Sequence, residues 1–117
     1  MKRKLPFFLA LILALFLCTA LTRAENLTPW QSLQEQLNAG GHIKLTQNVT
    51  AAAGESGLIV PSSVTVTLDL NGFTIDRGLA DSSPQSKGYV IKNEGNLTIR
   101  DSSVAQTGAI IGGNNSD

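Results

Sequence analysis

With 117 residues and nine basic against nine acidic side chains, the chain is sized for one small domain and carries no formal net charge. Four of the basic residues, Lys2, Arg3, Lys4 and Arg23, precede residue 25; without them five basic groups face nine acidic ones, and the basic patch that nucleic acid requires is missing. Cys18 is the only cysteine, which excludes an intramolecular disulfide.

The N-terminus has three parts. Lys2, Arg3 and Lys4 form a basic start, Leu5 to Leu21 is uncharged and apolar, and Thr22-Arg23-Ala24 places small residues at the −3 and −1 positions of a cut after Ala24. That order predicts a secretory signal helix over 1–24 and a secreted or envelope location, with membrane contact confined to this segment before cleavage. The competing reading is an uncleaved anchor, but the run is short for a span of ~20 residues and holds Pro6 near its start. A lipoprotein anchored at Cys18 is disfavoured because Leu17, immediately before it, is large.

Residues 25–41 predict a capping helix. Thr28 supplies the cap, Pro29 suits the first helical position, and Gln31 completes a capping box. Trp30, Leu33 and Leu37 fall on one face. Gly40-Gly41 ends the helix in the left-handed conformation that glycine tolerates.

From 42 to 117 the pattern alternates, and the chain after the signal is rich in Gly, Asn, Ser, Thr, Val, Ile and Leu and poor in aromatics. Ile43 and Leu45 face one way. Val64, Val66, Leu68 and Leu70 face inward, with Thr65, Thr67 and Asp69 outward. Asn71-Gly72 is a turn, and Phe73 and Ile75 resume the inward set, with Thr74 and Asp76 outside. Arg77 to Gly88 reads as a loop, Tyr89 to Lys92 as a strand and Asn93-Glu94-Gly95 as a turn. Leu97-Thr98-Ile99 is a strand, Asp101 to Gly108 a loop, Ala109-Ile110-Ile111 a strand and Gly112-Gly113 a turn.

Phe73-Thr74-Ile75 matches Leu97-Thr98-Ile99 at an offset of 24, and Gly88-Tyr89-Val90-Ile91 matches Gly108-Ala109-Ile110-Ile111 at an offset of 20. Such self-similarity points to stacked rungs. The expected fold is all-β, a parallel β-helix of about two to three rungs, with the Trp30/Leu33/Leu37 stripe covering its first rung. The alternative is an antiparallel sandwich or meander, since Asn71-Gly72 is also a hairpin signal.

Gly40-Gly41-His42-Ile43-Lys44-Leu45, Asn48-Val49-Thr50 and Thr67-Leu68-Asp69-Leu70-Asn71-Gly72-Phe73-Thr74-Ile75 resemble the entry to pectate-lyase-like right-handed β-helix domains of bacterial surface proteins. Asn93-Glu94-Gly95-Asn96-Leu97-Thr98-Ile99-Arg100-Asp101-Ser102-Ser103 and Gly108-Ala109-Ile110-Ile111-Gly112-Gly113 resemble the following rungs. The likeness covers roughly residues 30–113 and concerns fold, not function. It implies a right-handed coil that opens a longer array, of the kind serving as adhesins, autotransporter passengers or polysaccharide-active enzymes. A new rung begins just before Asp117 and no C-terminal cap is visible, so the expectation is a fragment, a truncated gene or a piece that self-associates through its open rung.

A lyase of this fold would need a calcium cage of carboxylates and a basic proton acceptor. The candidates are Asp69, Asp76, Asp81 and Asp101, with Arg77 and Arg100. No lyase motif matches residue by residue, and a solvated outer face with weak ion pairs is the expected reading. His42 has no second His or Cys for zinc and no serine elbow, and reads as a strand-edge residue. Gly112-Gly113 lacks the lysine of a phosphate loop. Asn71 and Asn93 are expected in corresponding turns, bracing backbone groups from rung to rung. The sequons at Asn26, Asn48, Asn96 and Asn114 matter only in a glycosylating host.

These residues thus predict no catalytic, cofactor or metal site. The expected function is a non-catalytic exported segment of an adhesin-like surface protein, meeting a cell-surface glycan or protein through outward Thr, Asn and Asp rows. The alternative is the N-terminal part of a polysaccharide lyase or glycoside hydrolase with its catalytic rungs beyond Asp117; a gene remnant without function is a third.

Overall fold

The computed structural model describes residues 26–116. The expected signal segment, residues 1–24, lies outside them. Among the described residues most of the regular structure is strand, arranged in parallel sheets with one helix, an architecture compatible with the all-β class.

Helix α1 (Pro29–Ala39) starts and stops on the signals in its sequence. The Thr28 hydroxyl accepts from the Gln31 N–H at 3.1 Å, and Gln31 Oε1 accepts from the Thr28 N–H at 3.2 Å. This capping box satisfies donors that the first turn leaves unpaired. At the other end Gly40 takes φ 77° and donates to Gln36 O at 3.0 Å.

Eight strands follow: β1 (Gly41–Lys44), β2 (Val49–Thr50), β3 (Leu58–Val60), β4 (Thr65–Asp69), β5 (Thr74–Asp76), β6 (Ile91–Asn93), β7 (Asn96–Arg100) and β8 (Ala109–Ile111). They form three sheets, ordered β1-β4-β7, β2-β5-β8 and β3-β6. The chain therefore visits the sheets in a fixed order, twice in full, and then starts a third circuit. Every strand pair is parallel, which removes the antiparallel meander. Asn71 and Gly72, at φ 49° and 81°, turn the chain from one sheet to the next instead of folding it back.

Parallel register stacks like residues. Ile43, Leu68 and Ile99 form one aliphatic column; Val49, Ile75 and Ile110 form a second; Leu58 and Ile91 begin a third. Burying each such side chain contributes roughly 1.5–3 kcal/mol. The columns fill unevenly. Ile43 and Leu68 are 5% and 0% exposed, whereas Ile99 in the same column is 47% exposed. The third circuit is thus uncovered on its far side among the described residues.

The near side is closed. Trp30, Leu33 and Leu37 join the core, and α1 packs on β1, β2 and β3. The helix also supplies polar closure. Gln34 Oε1 accepts from the Ile59 N–H at 2.8 Å and its Nε2 donates to Ile59 O at 2.9 Å, so one carboxamide replaces a neighbouring strand on β3. Trp30 Nε1 donates to Ser56 O at 2.8 Å. Both contacts hide backbone groups that an open strand edge would expose.

Several expectations are corrected. The repeat matches were out of register: Leu97-Thr98-Ile99 lies beside Val66-Thr67-Leu68, and Thr74-Ile75 beside Ala109-Ile110. The true spacing runs from 25 residues (Gly41 to Val66) to 35 (Thr74 to Ala109), because the 77–88 and 101–108 excursions lengthen the later circuits. The strand expected at Tyr89 to Lys92 is Ile91–Asn93. Asn71 and Asn93 occupy different corners, after β4 and at the end of β6.

Candidate functional site

The outward face of the β1-β4-β7 sheet gathers the polar alternates of three strands. His42 lies beside Thr67 and Thr67 beside Thr98; Lys44 lies beside Asp69 and Asp69 beside Arg100; Thr65 lies beside Asn96. Neighbouring parallel strands are about 4.8 Å apart, so the face is a regular grid of hydroxyl, amide and charged groups. Thr67 is half-buried, while His42, Lys44, Thr65, Asn96, Thr98 and Arg100 are exposed. A shallow depression of about 160 Å³ lies over His42, Lys44, Thr67, Asp69 and Arg100.

Three of the four candidate carboxylates are occupied by backbone. Asp69 Oδ1 accepts from the Asn71 N–H at 3.0 Å and from the Ser102 N–H at 2.9 Å. Asp101 Oδ1 accepts from the N–H groups of Gly72 at 2.9 Å and Ser103 at 3.0 Å and from Ser103 Oγ at 2.6 Å; its Oδ2 accepts from the Gly108 N–H at 2.7 Å. Asp76 Oδ1 takes the Gly78 N–H at 2.8 Å, and Asn93 Oδ1 the Gly95 N–H at 3.0 Å. All four use the same device, an Asx acceptor for the N–H two residues on. Asp69 and Asp101 also reach the adjacent circuit, which clamps the corner between the first and second sheets.

Donors this close favour the ionised carboxylate. The Ser102 hydroxyl and N–H, then the Asn71 N–H and the Arg100 guanidinium, hold Asp69 below its ordinary 3.8 against the opposing effect of burial. The Ser103 hydroxyl, then the N–H groups of Gly108, Ser103 and Gly72, do the same for Asp101. Asp69 was expected on a solvated face; it is buried because Ser102 and Arg100 of the next circuit cover it. Arg100 Nε stands 3.8 Å from Asp69 Oδ2 with most of its side chain in solvent, a pair worth little.

The other candidates lie apart. Asp81 is exposed in the 77–88 excursion. Among the described residues no three His, Cys, Asp or Glu side chains gather as a metal would need. Gly112 is a turn residue whose carbonyl accepts from the Leu79 N–H at 2.8 Å. Asn71 braces the neighbouring circuit as expected, its Nδ2 donating to Leu45 O at 3.0 Å, whereas Asn93 braces only its own turn.

Arg77 departs most from expectation. It is 7% exposed, turned beneath the 77–88 excursion rather than lying on an outer face. Its Nη1 donates to Lys87 O and to Tyr89 O, the latter at 2.6 Å, and its guanidinium carbon is 5.8 Å from the Tyr89 ring centroid. Its Nε is buried without a hydrogen-bond partner. An unpaired buried donor costs roughly 1–3 kcal/mol. Sequence reading missed Tyr89 and Lys87 as the partners of Arg77, since only the path of the excursion brings them together. It also missed the Asx side chains that accept within the turns, whose signal was present: Asp69-Leu70-Asn71, Asp76-Arg77-Gly78, Asn93-Glu94-Gly95 and Asp101-Ser102-Ser103 all place an Asx two residues before a small or turn-forming residue.

Compared with family models, with curated proteins and with solved structures, the chain has no significant match to any.

Proposed function

We propose that this chain is the capped opening of a right-handed parallel β-helix of the pectate-lyase-like kind, working as a non-catalytic binding segment of an exported, adhesin-like surface protein. The fixed order of visits to three parallel sheets supports the fold reading. One observation carries the functional reading: Asp69, Asp76 and Asp101 are spent on turn N–H groups, while Thr and Asn rows on the β1-β4-β7 sheet stay free. Hydroxyls and amides repeated every ~4.8 Å suit a hydroxylated polymer, where many weak hydrogen bonds add. The partner is accordingly a cell-surface glycan.

The test is binding of the purified chain to an array of neutral and acidic polysaccharides, with turnover of polygalacturonate measured in parallel. The expected result is saturable binding without turnover, lost when Thr67 and Thr98 are both changed to Val. Turnover, or binding indifferent to the double change, would overturn the reading.

A further inference from the structure

A cleft of about 450 Å³ opens beside the 77–88 excursion, away from the sheet face described above. Its size is that of a small-molecule site. Ile59, Leu79 and the Tyr89 ring give it apolar walls, and Arg77, Lys87 and Gln85 give it polar ones.

The charge pattern there is unusual for this chain. Of the five Lys and Arg side chains in the described residues, Lys92 pairs with Glu94 and Arg100 with Asp69; Lys44, Arg77 and Lys87 have no carboxylate within 4 Å, and of these Arg77 and Lys87 line the same cleft. Glu55 also lines it, but its carboxylate oxygens accept from Thr28 Oγ1 at 3.1 Å and from the Ala52 N–H at 3.0 Å. The Arg77 side chain is held from one side only: Nη1 is fixed by the carbonyls of Lys87 and Tyr89, and the buried Nε has no partner. The Nε edge of a guanidinium is one of the forks that match a carboxylate with two parallel hydrogen bonds. Lys87 and Gln85, both exposed, form the rim of the cleft beside it.

We propose that this cleft binds a small carboxylic acid with an aromatic or apolar body. The carboxylate takes the Nε edge of Arg77 and the charge of Lys87, and the body lies against Tyr89, Ile59 and Leu79. The buried donor then gains the acceptor it lacks, and the cation pair gains its counter-charge.

Benzoate is the probe, titrated into the isotope-labelled chain and followed by amide chemical shifts. The expected result is saturable shifts confined to residues around Ser56, Arg77 and Lys87–Tyr89. Benzamide, of the same shape without the charge, should bind at least about tenfold more weakly, because it loses the charge-assisted bonds. Inorganic phosphate should also bind more weakly, since it cannot use the apolar walls. Arg77→Lys keeps the charge and removes the fork, and should abolish binding. Because that change also cuts the loop ties, Lys87→Glu on the rim is the deciding variant: it should weaken benzoate about tenfold or more with an unchanged melting temperature. Equal binding of benzamide or phosphate, shifts scattered without saturation, or indifference to Lys87→Glu would overturn the proposal.

Discussion

The Gln34 carboxamide stands in for a strand, and that role can be separated from mere packing. Its two hydrogen bonds to Ile59, at 2.8 and 2.9 Å, contribute about 1 kcal/mol each, so Gln34→Ala should cost about 2 kcal/mol, less a few tenths returned by the better helix propensity of alanine. In a domain of this size that lowers the melting temperature by about 10 °C. Gln34→Met keeps the length of the side chain, yet it covers the Ile59 N–H and C=O without pairing them. If hydrogen bonding is what closes the edge, methionine rescues nothing and costs at least as much as alanine. The assay is urea unfolding followed by the fluorescence of Trp30, the only tryptophan, with hydrogen exchange at the Ile59 amide as the local readout. Wild-type stability in Gln34→Met, or an Ile59 amide equally protected in all three proteins, would refute the reasoning.

Three further outcomes are expected. Leu37→Ala removes a side chain that is 0% exposed at the junction of helix and sheets, and should cost about 2–5 kcal/mol by urea denaturation. Asp69 and Asp101 have folded pKa values below the ordinary 3.8, so their stabilisation is present above that value and is lost as pH falls through it toward the lowered ones. Melting temperature should therefore drop on acidification through that range, and drop less steeply in the Asp69→Asn/Asp101→Asn double variant; identical slopes would count against the corner clamp. Ile99→Lys puts a charge on the uncovered third circuit, where the column residue is 47% exposed, and should reduce any self-association seen by sedimentation velocity without lowering the melting temperature.

Much of this fold was legible in local sequence, and what was missed shares one physical cause. Thr28, Gln31 and Gly40 announced the ends of α1 because capping is a local interaction. The inward set Val66, Leu68 and Leu70 was readable because five consecutive strand residues in β4 display the two-residue period. β2, with two residues, is too short to show a period, and β3, Leu58-Ile59-Val60, is apolar throughout and shows no alternation, so neither is legible from pattern. Register failed for the same reason that the Arg77 surroundings did: which residues meet depends on how far each excursion carries the chain, and 77–88 offers no internal marker of its path. The binding face suffered less. Thr67 was expected outward and Thr98 in a strand, and their adjacency needed the structure. Asp69 was misjudged because its cover comes from Ser102, thirty-three positions away.

The wholly parallel register has a kinetic consequence. A hairpin lets two strands meet across a turn of a few residues, but here the nearest partners, Gly41 and Val66, are 25 residues apart, and Thr74 and Ala109 are 35 apart. Each new strand contact must first close a long loop, at an entropic cost that grows as the logarithm of its length and is met before any pairing returns it. Refolding should thus fall in the slow, millisecond-to-second class of topologies dominated by distant contacts. Among the described residues α1 is the one element able to form from neighbours alone, and each circuit can be laid only on the one before it. Such a chain is best assembled in the order of its synthesis, from the helix outward.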